Sequence, residues 1–411
     1  MSVLRATRAF SEDHTSGSER RSPSHSPTVA ARPTPMVLFA GGGTGGHVFP
    51  LVALAEAFER VAPHVAFRFV GSARGLETRV IPARGWALDL LSSEPLAGRS
   101  LLASAKGAMV AGAGVLQAAA LVARHRPRLV VSIGGYAAGP ISLAAAAMLV
   151  PVALLEPNRT AGLTQRLLKP VSRRIYVGFE EALAEHGRKG RALGVPLRRG
   201  FLPVAPRSRR SGEPLSVFVM GGSQGAQHLN ETLPAAIASL AGEASVGRVR
   251  VLHQAGRDKV DKTRAAYDAA LAGLSERAEV QVIDFLDDVQ TRLAAADVVI
   301  ARSGALSCAE ICAVGRPAIL VPFPFAADDH QAANAEAMQR AGAAVALRQP
   351  QATSEALAAA LRELALDDGK RLVMAEASRR RGAPDAATAI ARDLIELAGI
   401  SSAEEAVHVS R

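Results

Sequence analysis

Cysteine is nearly missing from this chain of 411 residues, which has two, Cys308 and Cys312. They stand four apart in a helical pattern, and two thiols alone make a poor metal site. They read as core residues of a reduced, cytosolic protein rather than as metal or redox groups. Aromatics make up 4% of the residues and no RNA- or DNA-binding motif occurs, so nucleic acid is not expected as a partner. Long hydrophobic runs are also absent. The nearest, GAMVAGAGVLQAAALVA (107–123), is 17 residues with one Gln and much Ala and Gly. That falls short of the roughly 20 strongly apolar residues of a spanning helix. The first 35 residues lack the apolar stretch of a signal peptide, and their Ser, Pro and Arg content reads as a disordered extension. The tail 401–411 reads the same way.

Charge of one sign is in excess. The net charge is +10, and residues 36–198 carry 19 Lys and Arg against 9 Asp and Glu, whereas 199–383 carry 22 against 21. A basic field over the first half favours an anionic partner, such as lipid headgroups or a diphosphate-bearing substrate. The segment 107–123 is flanked by Arg99, Lys106, Arg124, Arg126 and Arg128. An apolar helix with such flanks suits shallow contact with an anionic leaflet.

Short apolar runs alternate with Ala-rich helical stretches. VLFA (37–40), AFRFV (66–70), LVVSI (129–133), PVALLE (151–156) and RIYVG (174–178) predict buried parallel strands of a doubly wound α/β sheet. The pattern breaks at RRGFLPVAPRSRRSGEP (198–214), which has linker composition. It restarts at SVFVMGGSQGAQHLN (216–230) and continues through VRVLHQAG, VQVIDFL, VVIARSGA and PAILVPFPF. The fold class expected is therefore α/β, with two Rossmann-like domains facing a central cleft, the default ligand site. The first spans 36–198 and the second 199–383. An amphipathic helix within 384–400 is expected to cross back onto the first.

The opening turn GGGTGG contains GxGxxG at Gly41, Gly43 and Gly46. A dinucleotide site also needs an acid ending the second strand, but VGSARG has none before Glu77. A P-loop would end in GK[ST], which is missing too. What remains is a turn whose backbone amides face a cleft. Similar turns occur at SIGGYAAGP (132–140), Gly221–Gly225 and RSGALSCAE (302–310). Helix N-termini gathered on one cleft can hold a diphosphate without metal. Asp287-Asp288 and Asp328-Asp329 are adjacent pairs without metal-ligand spacing, so neither a catalytic metal nor a cofactor is expected.

Taken together, VLFAGGGTGGHVFP, SIGGYAAGP, GGSQGAQHLN, FLDDV, RSGALSCAE and DDHQAANA resemble, in order and spacing, the motifs of the MurG family over residues 36–400. These are GT-B-fold transferases that move N-acetylglucosamine from UDP-N-acetylglucosamine to lipid I, undecaprenyl-diphospho-muramoylpentapeptide, in peptidoglycan synthesis. The resemblance implies that Ser223 contacts the donor phosphates and that Arg198 stands at the domain junction. It places Leu286 at the uracil. Ala305, Leu306, Ser307, Cys308, Ala309 and Glu310 would wrap the diphosphate and ribose, with Glu310 on the ribose hydroxyls. Gln331 would read the sugar, beside Asn334, and Gly43, Thr44, Gly45 and Asn158 would complete the donor site. The acceptor diphosphate would lie against Gly45, Gly46, Gly134, Gly135 and Tyr136. The family also implies a peripheral location on the cytoplasmic face of the inner membrane and other cell-wall synthesis proteins as partners. The chain departs from the family's usual pattern at Pro157 and Val195, where side-chain amides are commoner.

Direct displacement at the anomeric carbon needs a base near the acceptor hydroxyl. His47, at the lip of the first turn, is the candidate. Capping the turn, or binding the acceptor diphosphate as a cation, are its other readings. On the same scaffold, a UDP-N-acetylglucosamine 2-epimerase, a diacylglycerol glycosyltransferase and a non-enzymatic UDP-sugar-binding membrane scaffold are the alternatives.

Overall fold

The computed structural model describes residues 34–91, 114–135, 137–206, 208–210, 212–222 and 224–400. The expectations for 1–33, 401–411, Arg99, Lys106, Tyr136 and Ser223 concern residues outside that set.

Two parallel sheets carry the chain. The first has the order β3-β2-β1-β4-β5-β6-β7, built from β1 (Met36–Gly41), β2 (Ala66–Ser72), β3 (Leu88–Leu91), β4 (Leu129–Gly134), β5 (Val152–Glu156), β6 (Arg174–Val177) and β7 (Gly190–Arg191). The second has the order β10-β9-β8-β11-β12-β13, from β8 (Leu215–Met220), β9 (Val249–Gln254), β10 (Ala278–Ile283), β11 (Val298–Ala301), β12 (Ala318–Leu320) and β13 (Ala344–Ala346). Central strands such as β1 and β4 are apolar on both faces because helices cover both sides.

Strand order reverses between β1 and β4 in one sheet and between β8 and β11 in the other. A crevice opens beyond the carboxyl ends of strands at such a switch point. The four glycine-containing turns noted in the sequence follow these four strands, so topology alone sends all of them to the two crevices.

Helix Ala386–Leu397 packs beside helix Gly45–Val61 in the first lobe. Its Ala387, Ile390, Ala391 and Leu394, spaced for one helical face, join Phe39, Leu51 and Phe58 in one core. Asp393 is held by Arg174, at 2.7 Å, and by the Tyr176 hydroxyl. Phe179 and Leu197, on the stretch leaving β6, are packed instead into the second lobe's core with Phe218 and Ile311. Beside them Arg381 makes a bidentate pair with Glu181 (2.8 and 3.0 Å), its guanidinium lying over the Phe179 ring. None of the described residues of 198–214 lies in a helix or strand.

Candidate active site

Beyond β1 the chain passes through Gly42, Gly43 and Thr44 into helix Gly45–Val61, with Thr44 as N-cap. Gly43 lies at φ +94°, a conformation side chains resist. The Thr44 carbonyl accepts the His47 and Val48 amides, both at 3.1 Å. The Gly45 and Gly46 amides are left without a hydrogen bond among the described residues, at the positive end of the helix dipole. Gly135 comes so close to this turn that a Cβ on it would stand 2.9 Å from the Gly42 carbonyl oxygen.

His47 Nδ1 lies 3.1 Å from the Gly42 carbonyl oxygen. A carbonyl only accepts, which assigns the proton to Nδ1 and a lone pair to Nε2. The Nε2 atom faces Gly134 at the end of β4, 3.9 Å from where a Cβ would be. Burial lowers the His47 pKa; the Gly42 carbonyl opposes this, His330 adds to it and Glu77 opposes it. The imidazole is thus kept neutral at neutral pH.

The Gly43 amide is not bare. It donates to Glu77 Oε2 at 2.8 Å, contrary to the expectation for this turn. What Gly43 offers the cleft is its conformation and its missing side chain. Glu77 is buried, and its Oε1 accepts the Ser72 amide and hydroxyl at 2.9 and 3.0 Å.

Glu156, ending β5, is buried as well. Its Oε1 accepts the Asn158 amide (3.0 Å) and side-chain NH2 (3.4 Å), its Oε2 accepts the Gly162 amide (3.3 Å), and burial pushes its carboxyl up to about 7. Asn158 then links the lobes. Its Oδ1 accepts from Asn334 Nδ2 at 3.2 Å, while Asn334 Oδ1 accepts the Arg159 amide at 2.8 Å. Asn334 also donates to the Ser303 carbonyl (3.0 Å), and the Ser303 hydroxyl donates to the Gln331 carbonyl (2.8 Å). The Gln331 Oε1 accepts the Phe323 amide at 3.0 Å, leaving its NH2 uncommitted among the described residues.

Across the cleft, helix Ala305–Val314 touches the helix carrying His47. The Cys308 amide bonds back to the Gly304 carbonyl at 2.9 Å. Only Ala305, Leu306 and Ser307 can offer free amides; those of Cys308 and Ala309 are taken inside the helix. The side chains of Ala305, Cys308 and Ala309 lie on the face that lines a cavity of about 590 Å³ at the hinge, with Gly178, Gly194 and Arg381. That cavity is lined by none of the glycine turns after β1, β4 and β8. Glu310 is buried and makes no hydrogen bond among the described residues. Burial pushes its carboxyl up to about 7, against the pull of the Arg198 guanidinium. Arg198 lies over the Phe49 ring, 5.2 Å from its centroid, so the junction arginine touches one lobe while its charge acts on the other. Leu286 is half-buried in the loop after β10.

After β8, the Gly222 amide donates to Gln254 Oε1 at 3.2 Å, and the next helix starts at Gln227. The acids set aside as non-ligands are partly paired: Asp288 with Arg292 (3.1 Å), Asp328 with Arg166 of the first lobe (2.7 Å) and Asp329 with Arg348 (3.0 Å). Val195 is buried and lines the hinge cavity. Sequence reasoning missed the hold of Glu77 on the Gly43 amide and the contact that Asn334 makes between the lobes. The glycines around Glu77, in GSARGLE, were the available signal.

This fold and cleft are those of the GT-B glycosyltransferases. Residues 37–177 match the glycosyltransferase family 28 N-terminal domain and 216–390 its C-terminal domain. A relative in Sorangium cellulosum, UDP-N-acetylglucosamine–N-acetylmuramyl-(pentapeptide) pyrophosphoryl-undecaprenol N-acetylglucosamine transferase, is 49% identical over 367 residues, 88% of each chain. The crystal structure of Acinetobacter baumannii MurG is similar with a TM-score of 0.74 and 28% identity, covering 88% of this chain and 99% of that one. UDP-N-acetylglucosamine 2-epimerase from Neisseria meningitidis shares the fold alone, at 14% identity and a TM-score of 0.58, over 88% of this chain and all of that one. The chain belongs to the MurG family of N-acetylglucosamine transferases.

Proposed function

We propose that this chain transfers N-acetylglucosamine from UDP-N-acetylglucosamine to the 4-hydroxyl of the muramyl sugar of lipid I, with inversion at the anomeric carbon, forming lipid II. The carrying observation is His47, held by Gly42 with Nε2 free at the first lobe's switch point. His47 takes the proton from the attacking hydroxyl as the new glycosidic bond forms and the bond to UDP breaks. The charge developing on UDP is met by the free amides at the start of helix Ala305–Val314 and by the helix dipole. Glu310 receives the ribose hydroxyls, Gln331 reads the sugar, and Leu286 lies against the uracil. The Gly45 and Gly46 amides and the Gly134-Gly135 turn hold the acceptor diphosphate. The 2-epimerase and diacylglycerol transferase readings are not favoured, since the similar proteins at high identity are muramyl-directed transferases.

The acceptor's lipid brings the first lobe to the anionic inner leaflet. Among the described residues no helix is long and apolar enough to cross a membrane. The first lobe does expose Leu116 (73%), Leu149 (85%), Leu163 (64%) and Leu167 (66%). Helices Ala138–Ala147 and Leu163–Leu168 are in contact, with Arg166 and Lys169 beside them. Exposed apolar residues with cations beside them support shallow insertion.

Incubation with radiolabelled UDP-N-acetylglucosamine and a lipid I analogue tests the activity; the expected product is a lipid-linked disaccharide. Free N-acetylmannosamine, or no product, overturns it. His47→Ala is expected to lower turnover about 100- to 10,000-fold while donor affinity is kept. Near-normal turnover refutes the base assignment.

A further inference from the structure

The Gly42–Gly43 peptide group is gripped from both ends. Its carbonyl accepts from His47 Nδ1 at 3.1 Å, and its N–H donates to Glu77 Oε2 at 2.8 Å. A trans peptide is planar, with C=O and N–H pointing opposite ways, so fixing one end fixes the other. A peptide between two glycines meets little steric resistance to flipping; here the carboxylate supplies that resistance. Glu77 is itself anchored through Oε1 by the Ser72 amide and hydroxyl. Two chain segments converge on it, the Gly42–Gly43 turn and residues 71–76, which lead into Glu77 itself. A Cβ on Gly42, Gly71 or Gly75 would come within 2.0, 2.6 or 2.0 Å of its side chain. Glu77 forms no ion pair among the described residues, so its partners are hydrogen-bond donors of the loops.

We propose that Glu77 is a positioning residue for His47, acting as an orienting carboxylate one peptide group removed from the imidazole. The proposal rests on His47 being the base. Hydrogen bonding to a carboxylate polarises the peptide and strengthens its carbonyl as an acceptor for Nδ1–H. That holds the Nε2 lone pair in place and stabilises the imidazolium formed when the acceptor's proton arrives. Glu77 also raises the proton affinity of His47, against burial and against His330 from the second lobe.

Glu77→Gln removes the charge and one of two acceptor oxygens while nearly keeping the volume. On the full-length protein, kcat is expected to fall about 10- to 100-fold, less than for a directly bonded orienting carboxylate, with the KM for UDP-N-acetylglucosamine unchanged within about threefold. Loss of the negative charge lowers the His47 pKa, so the acid limb of the kcat profile moves to lower pH. In a His47→Ala background the same replacement is expected to change kcat less than about twofold, because residues acting as a unit are not additive. An equal loss in both backgrounds, or an unmoved acid limb, overturns the relay. Should His47→Ala alone keep near-normal turnover, the base reading fails first and takes the proposal with it. If Glu77→Gln does not fold, nitrogen-15 NMR of labelled histidine in the unaltered protein decides: the Nδ1–H tautomer at His47 is expected, and the Nε2–H tautomer overturns the relay.

Discussion

Burial pushes the Glu310 carboxyl up to about 7, well above the ordinary glutamate range near 4.5. A group whose folded pKa is raised contributes stability that is present below about pH 4.5 and lost as pH rises through 7. Glu310 is therefore a burden on the empty protein at pH 8 and an asset once ribose hydroxyls donate to it. Glu310→Gln is expected to raise stability at pH 8 by about 1–3 kcal/mol, with the gain vanishing near pH 4.5. Calorimetric titration of Glu310→Ala should show UDP binding weakened about 10- to 100-fold, two charge-assisted hydrogen bonds being lost. Unchanged affinity would remove Glu310 from the ribose. At this scale the sequence is legible where a motif marks the residue, as with His47 in its glycine turn. Glu77 is far less so: its work depends on two segments meeting, and the glycines of GSARGLE are a hint of close approach that does not say what the acid holds. Cys308 and Ala309 illustrate the reverse case. They sit inside a motif, yet helix geometry uses up their amides and turns their side chains to the hinge.

Helix Ala138–Ala147 ends in a strained way. Leu149, just beyond it, has φ +61° and is 85% exposed. A branched side chain in that region costs roughly 1–2 kcal/mol and gains nothing from burial in water. Leu149→Asn is expected to stabilise the protein by about 0.5–1 kcal/mol in thermal unfolding, since Asn tolerates this conformation. Binding to phosphatidylglycerol vesicles should weaken in the same variant, measured by co-sedimentation; vesicle binding unchanged would take the leucine out of the membrane surface. Elements were legible to the degree that they are buried. The central strands β1, β2, β4, β5, β6, β8, β9, β11 and β12 are announced by apolar runs, as is the six-residue edge strand β10. The missed strands β3, β7 and β13 are two to four residues long and lie at sheet edges. There one neighbour is lacking, and no long apolar run is required.

Over the whole molecule, the doubly wound class was legible because two copies of one pattern flank a linker-like segment. Which strands lie at each switch point was not, since order within a sheet leaves no local trace. Trp86, the single tryptophan, stacks on Phe69 in the first lobe, with ring centroids 5.5 Å apart. Its fluorescence therefore follows that lobe. Leu394→Ala, emptying a fully buried position of the crossing helix, is expected to cost about 2–5 kcal/mol and to shift the tryptophan transition to lower urea. A transition unmoved by that change would mean the helix contributes little to this core. Because helix Ala386–Leu397 completes a core begun at Val37, a ribosome must translate through this helix before the first lobe can finish folding. The carboxyl-terminal half has all its strands earlier, so during synthesis the second lobe is free to mature first, and the first waits with its apolar groove open for its last helix.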